Sequence, residues 1–189
     1  GCGWGATEIA LAERGLHVSA IPLDPVIASN AAGQGVDMIY GGFRSARARL
    51  EGQRFDCVLY SNILHLVRDP VGVLSLFRDL AAIDAPIIIQ SANMRSIPTL
   101  WANLRNRKAD KAGDYDATGV HFTTAGRIRE WCHSAGLTIE RTVGILHRRA
   151  GMLRNMPSAV TGLSMAPDFV SVAKRTDART ASLGRAVGE

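Results

Sequence analysis

Gly1-Cys2-Gly3-Trp4-Gly5 runs without a break into Ala6-Thr7-Glu8-Ile9-Ala10-Leu11-Ala12-Glu13-Arg14-Gly15, and His17-Val18-Ser19-Ala20-Ile21 follows. Ala6 to Arg14 is rich in Ala, Leu and Glu and stops at a glycine, which predicts a helix with its C-terminal cap. His17 to Ile21 is short, β-branched and apolar, the mark of a buried strand. Three glycines directly before a helix let the backbone approach a ligand closely, and the helix start offers unpaired N–H groups. A glycine loop alone is a weak sign, because a flexible chain start has the same composition.

The same alternation continues outward from this stretch. Pro25 to Ala32 reads as helix, Val36 to Tyr40 as strand and Phe55 to Tyr60 as strand. Asp69-Pro70 supplies an N-cap and an N1 proline, and Val71, Leu74, Phe77 and Leu80 follow at helical spacing. Pro86 to Gln90 holds Ile87-Ile88-Ile89, apolar on both faces like a central parallel strand. Asn93 to Gly119 is polar and basic with Trp101 and Leu104 as its main apolar anchors, and is expected to be a lid or insertion. Thr124 caps a helix with Ile128, Trp131, Cys132 and Ala135 on one face, closing at Gly136. Leu137 to Ile145 and Phe169 to Ala173 read as strands, and 176–189 as a frayed tail. Such alternation predicts one α/β domain over 1–175, with a doubly wound, Rossmann-like, mostly parallel sheet covered by helices on both faces.

The 189 residues are 47% hydrophobic and 21% charged, enough to bury a core and unlike a disordered chain. No apolar run approaches the ~20 residues of a membrane span, and no basic stretch with an apolar run opens the chain. Cys2, Cys57 and Cys132 are odd in number and far apart, which argues against a disulfide framework or a metal site and for a reduced, cytoplasmic setting. Lys and Arg total 22 against 17 Asp and Glu, a formal charge of +5. The excess gathers at Arg105, Arg107, Lys108 and Lys111, and again at Arg141, His147, Arg148, Arg149 and Arg154. These patches suit phosphate, nucleic acid or an anionic membrane surface, or are simply a solvated face.

Order and spacing carry a resemblance. The glycine loop, then Phe55-Asp56-Cys57-Val58-Leu59-Tyr60-Ser61-Asn62-Ile63-Leu64-His65-Leu66, and then Asp69-Pro70 resemble a class I S-adenosylmethionine-dependent methyltransferase. Ile87 to Asn93 is similar to that family's fifth strand and the loop after it. His121-Phe122-Thr123-Thr124 through Leu137 is similar to the segment entering the helix before the sixth strand, and Phe169 to Arg175 to the closing strand. The resemblance implies S-adenosylmethionine as cofactor, with Gly1, Gly3 and Gly5 at its methionine part and Asn62 to Leu66 bordering the reaction site. It also implies a small-molecule acceptor, or a sugar- or lipid-linked one.

The departures from the family pattern are specific. The family's first strand precedes the glycine loop, so a longer protein is expected, with an apolar strand and an acidic residue upstream. Ile21 is followed by Pro22 where the family has a ribose-binding acid, which leaves Asp24 as the nearby substitute. Gly41-Gly42 stands where an acid near the adenine is common. A non-catalytic remnant serving as an interaction module is therefore one alternative. A nucleic-acid methyltransferase is another, suggested by the basic clusters but lacking an Asn-Pro-Pro-Tyr-like motif and base-stacking aromatics among them.

Methyl transfer needs a base only when the acceptor keeps its proton. His65 and His121 are the candidates, each weighed against a structural histidine. Ser61 and Asn62 are expected beside the cofactor at a strand end, where open α/β sheets bind ligands; a turn-stabilising role is the alternative for Asn62. Asn93 could line the acceptor pocket or stabilise a turn, and Trp4 could pack on the cofactor or cover a sheet edge. Cys57 is expected in the core.

Overall fold

The computed structural model describes residues 2–105, 115–146 and 158–176. Of the expectations above, Gly1, the 177–189 part of the tail, the basic residues at 107–111 and those at 147–154 lie outside them. The chain divides into two compact units, Gly1–Gln53 and Arg54–Glu189.

The first unit holds α1 (Ala6–Ala12), β1 (Val18–Ala20), α2 (Pro25–Ala28), β2 (Val36–Met38) and α3 (Phe43–Arg49). β1 and β2 run parallel, with Val18 opposite Val36 and Ala20 opposite Met38. Buried Ala20, Ala31 and Val36 form a small core, against which Cys2, Ile9, Ala12, Val18 and Met38 pack. Gly5 precedes α1 at φ 75°, and a Cβ there would collide with the Cβ of Ala31. Only glycine fits, on grounds of both torsion and space. Asp24 caps α2, its Oδ1 accepting from the amides of Val26 at 2.8 Å and Ile27 at 3.2 Å, with Pro25 in the first turn. α3 was not anticipated: it carries three arginines and buries only Ala46, so it has no apolar stripe to read.

The second unit holds β3 (Val58–Ser61), α4 (Pro70–Phe77), β4 (Ile87–Ala92), α5 (Ile97–Arg105), α6 (Tyr115–Thr118), α7 (Ala125–Ser134), β5 (Leu137–Ile145), α8 (Ser158–Met165) and β6 (Asp168–Arg175). Its sheet has the order β3-β4-β6-β5. β3 and β4 are parallel, while β6 runs antiparallel to both β4 and β5. Ile87, Ile89 and Ser91 on β4 alternate with half-buried neighbours, and Phe169, Ser171 and Ala173 do the same on β6. The two central strands thus bury one residue in two.

α4 starts as its sequence predicts, with Asp69 accepting from the Gly72 amide at 2.8 Å and Pro70 in the first turn. Thr124 caps α7 through the Arg127 amide at 3.1 Å, and Ile128, Trp131 and Cys132 are buried along it. Each fully buried residue of the size of Leu74, Ile89 or Phe169 contributes ~1.5–3 kcal/mol.

Within the stretch 93–119 the described residues include two helices, α5 and α6. One expectation changes. Cys57 is exposed rather than in the core, because β3 begins one residue later. The overall class is α/β and Rossmann-like, as its sequence indicates.

Candidate active site

The second unit concentrates polar chemistry where β3 ends. Asn62 directly follows the strand, and its amide continues the parallel ladder by donating to the Gln90 carbonyl at 3.1 Å. Its φ is 49°, in the left-handed region that an asparagine enters only at some cost. Its Oδ1 is buried and finds no hydrogen-bond partner. Two further buried atoms nearby in the chain are also unpartnered, the Tyr60 hydroxyl and His65 Nδ1. Buried polar atoms are normally paired, so three such atoms within six residues set this stretch apart from the rest of the strand end.

Burial lowers the basicity of His65, and the neighbouring His121 lowers it further. The imidazole is neutral at pH 7 and holds one unprotonated nitrogen. Burial, and then the Cys132 thiol, raise the Tyr60 hydroxyl well above its ordinary range, while burial pushes Cys132 up to about 12. Tyr60 was not singled out from sequence, although a tyrosine inside an apolar strand was the signal available.

A clamp fixes the turn that carries His65. The His121 amide donates to the His65 carbonyl at 2.8 Å, and the Tyr115 hydroxyl donates to the Leu66 carbonyl at 3.1 Å. His121 Nε2 lies 3.1 Å from the Val67 carbonyl and 3.3 Å from that of Arg68, which it serves as a donor. Its ring stacks on Tyr115 at 4.4 Å and meets Trp131 edge-on at 5.3 Å. The exposed Arg68–Asp116 pair at 3.1 Å adds little. The structure therefore brings His65 and His121 together, with the His121 ring spent on the backbone around His65.

Ser61 lies at the end of β3 with its hydroxyl 3.4 Å from Gln90 Oε1. Asn93 is buried, and its Nδ2 donates to the carbonyls of Leu163 at 2.5 Å and Ala166 at 2.9 Å, which ties the end of β4 to the chain entering β6. That is the turn-stabilising alternative, not the acceptor-lining one.

In the first unit, Gly3 has φ 49° and open space where a Cβ would stand, and Trp4 is exposed. Asp24 has one carboxylate oxygen engaged in capping. Glu8 was missed from sequence. It falls three residues after Gly5 on the buried side of α1, where burial raises its carboxyl. Among the described residues, no group of three or more His, Cys, Asp and Glu is arranged for a metal, and no helix is long and apolar enough to cross a membrane.

A family model described as a methyltransferase domain matches residues 1–142, three quarters of the sequence. The chain belongs to this methyltransferase family. Its fold is that of the class I, Rossmann-like members. The CcbJ methyltransferase from Streptomyces caelestis shares it with a TM-score of 0.66 at 15% identity, over 94% of this chain and 82% of that one. Magnesium protoporphyrin IX methyltransferase from Synechocystis PCC 6803, solved with bound SAH, gives a TM-score of 0.63 at 16% identity, over 93% and 71%. The mitomycin 7-O-methyltransferase MmcR gives 0.62 at 16%, over 93% of this chain and 47% of that one, so this methyltransferase chain spans about half of that protein. No curated protein matches the chain in sequence.

Proposed function

We infer that the protein binds S-adenosylmethionine and transfers its methyl group to a small-molecule acceptor, sugar- and lipid-linked compounds included. The observation that carries this reading, beside the family match, is the set of unpartnered buried atoms on Tyr60, Asn62 and His65. The three free cysteines suit a reducing compartment, and we read the enzyme as cytoplasmic.

The residues present fit the cofactor. Gly3 leaves open space above a backbone that needs a glycine, Asp24 keeps one carboxylate oxygen beyond its capping bond, and Asn62 has an amide oxygen in want of a donor. When bound, S-adenosylmethionine supplies a methyl group made electrophilic by a sulfonium. In the first unit Gly1, Gly3, Gly5 and Asp24 are the cofactor-holding residues; in the second they are Ser61 and Asn62. His65, neutral at pH 7, takes the proton of an acceptor hydroxyl or ammonium. His121 positions the turn that carries His65 instead of moving the proton itself. What the protein adds is alignment of the acceptor and exclusion of water.

Two variants test this. Asn62→Gly keeps the left-handed backbone without strain and removes the side chain with its amide. Asp24→Asn keeps a helix cap and removes the charge. Each is expected to fold like the parent and to bind S-adenosylmethionine about tenfold more weakly, the loss of one hydrogen bond to a polar or charged group. Unchanged affinity in either variant removes that residue from the site.

A further inference from the structure

α5 is an amphipathic helix turned inside out. Ile97, Leu100, Trp101 and Leu104 recur at the i, i+3, i+4, i+7 spacing of a single helix face. That face looks outward: Trp101 is 70% and Leu104 73% exposed, with Ile97 and Leu100 near half. Among the helix positions whose burial is described, Thr99 is the half-buried one, and its hydroxyl lies 2.7 Å from that of buried Ser96. Exposed Arg95 and Arg105 stand at the two ends of this apolar arc.

We propose that α5 is a peripheral membrane contact, seated in the headgroup–acyl boundary of an anionic bilayer through Ile97, Leu100, Trp101 and Leu104, with Arg95 and Arg105 on lipid phosphates. An apolar face with tryptophan and leucine between cationic ends is the chemistry of an interfacial helix. A bound small molecule has most of its surface covered, whereas the depression lined by Ile97, Pro98, Trp101, Ala102 and Arg105 is shallow and open to solvent. A protein partner needs ~800 Å² on each side, more than one helix about 14 Å long supplies with four side chains. The formal charge of +5 draws the chain toward an anionic surface as well. This role is independent of the methyl-transfer reading.

The test is co-sedimentation of the full chain with phosphatidylcholine vesicles, with and without roughly 30% phosphatidylserine. Binding is expected to the anionic vesicles alone, and to weaken in high salt. The double variant Trp101→Glu/Leu104→Glu should bind at least tenfold more weakly while keeping its affinity for S-adenosylmethionine. Arg95→Ala/Arg105→Ala, which leaves the apolar face intact, should lose about tenfold or more on the same vesicles. Failure of the parent chain to bind anionic vesicles overturns the proposal, as does undiminished binding by both variants. A parent chain that ignores vesicles but is a dimer by light scattering, and becomes a monomer on the Trp101→Glu/Leu104→Glu change, assigns the face to a second copy and overturns it too.

Discussion

Asn62, at φ 49° with an unpartnered amide oxygen, and His65, with an unpartnered ring nitrogen, are single residues that carry a local cost in the fold. For His65 the cost has a measurable sign. Its basicity in the fold is lowered from an ordinary value of 6.5, so the unfolded chain takes up a proton that the folded chain refuses. The stability tied to neutral His65 is present above pH 6.5 and is lost as pH falls through the lower folded value. Glu8 acts in the opposite sense: its carboxyl is raised from 4.5, so stability is lost as pH rises through the folded value. The difference between parent and variant is therefore the readout. Urea denaturation at pH 7.5 and at pH 5.5 should show His65→Gln losing less stability between the two than the parent does. Equal losses would mean that His65 is not held neutral by the fold.

At the scale of elements, β4 shows how far local pattern reaches. Ile87-Ile88-Ile89 marks a central strand in sequence, and Ile87 and Ile89 are fully buried in the sheet. Ile89→Ala should cost 2–5 kcal/mol in chemical denaturation, since the close-packed site cannot collapse around the missing methyls; less than about 1 kcal/mol would contradict the packing described. The caps at Asp69 and Thr124 were legible because capping is local chemistry. α3 was not, because one buried alanine among arginines leaves no stripe. In α5 the helical spacing is present, and Trp101 and Leu104 stand out in sequence as apolar anchors, yet both are exposed. Which way an amphipathic face points is a tertiary fact that spacing cannot carry. His121 belongs with these: a histidine before a helix reads as a base or as a brace, and its contacts with the Val67 and Arg68 carbonyls make it a brace.

At the scale of the whole molecule, the alternation of strand and helix sufficed for the class but not for strand direction. β6 reverses against β4 and β5, and an apolar strand looks the same from either end. Nor did composition show that the chain divides at Gln53 into two units with separate sheets. Membership of the methyltransferase family rests on 1–142 together, not on any one motif. Function at this scale turns on whether a chain with Pro22 in place of the usual acid, and Asp24 spent partly on a helix cap, still holds its cofactor. Calorimetric titration of the intact protein with S-adenosylmethionine decides that. The account predicts saturable binding at one site per chain, competed by S-adenosylhomocysteine and weakened by Asn62→Gly. No saturable binding up to ~1 mM, a free energy weaker than about 4 kcal/mol, would contradict it and leave a methyltransferase fold without the chemistry.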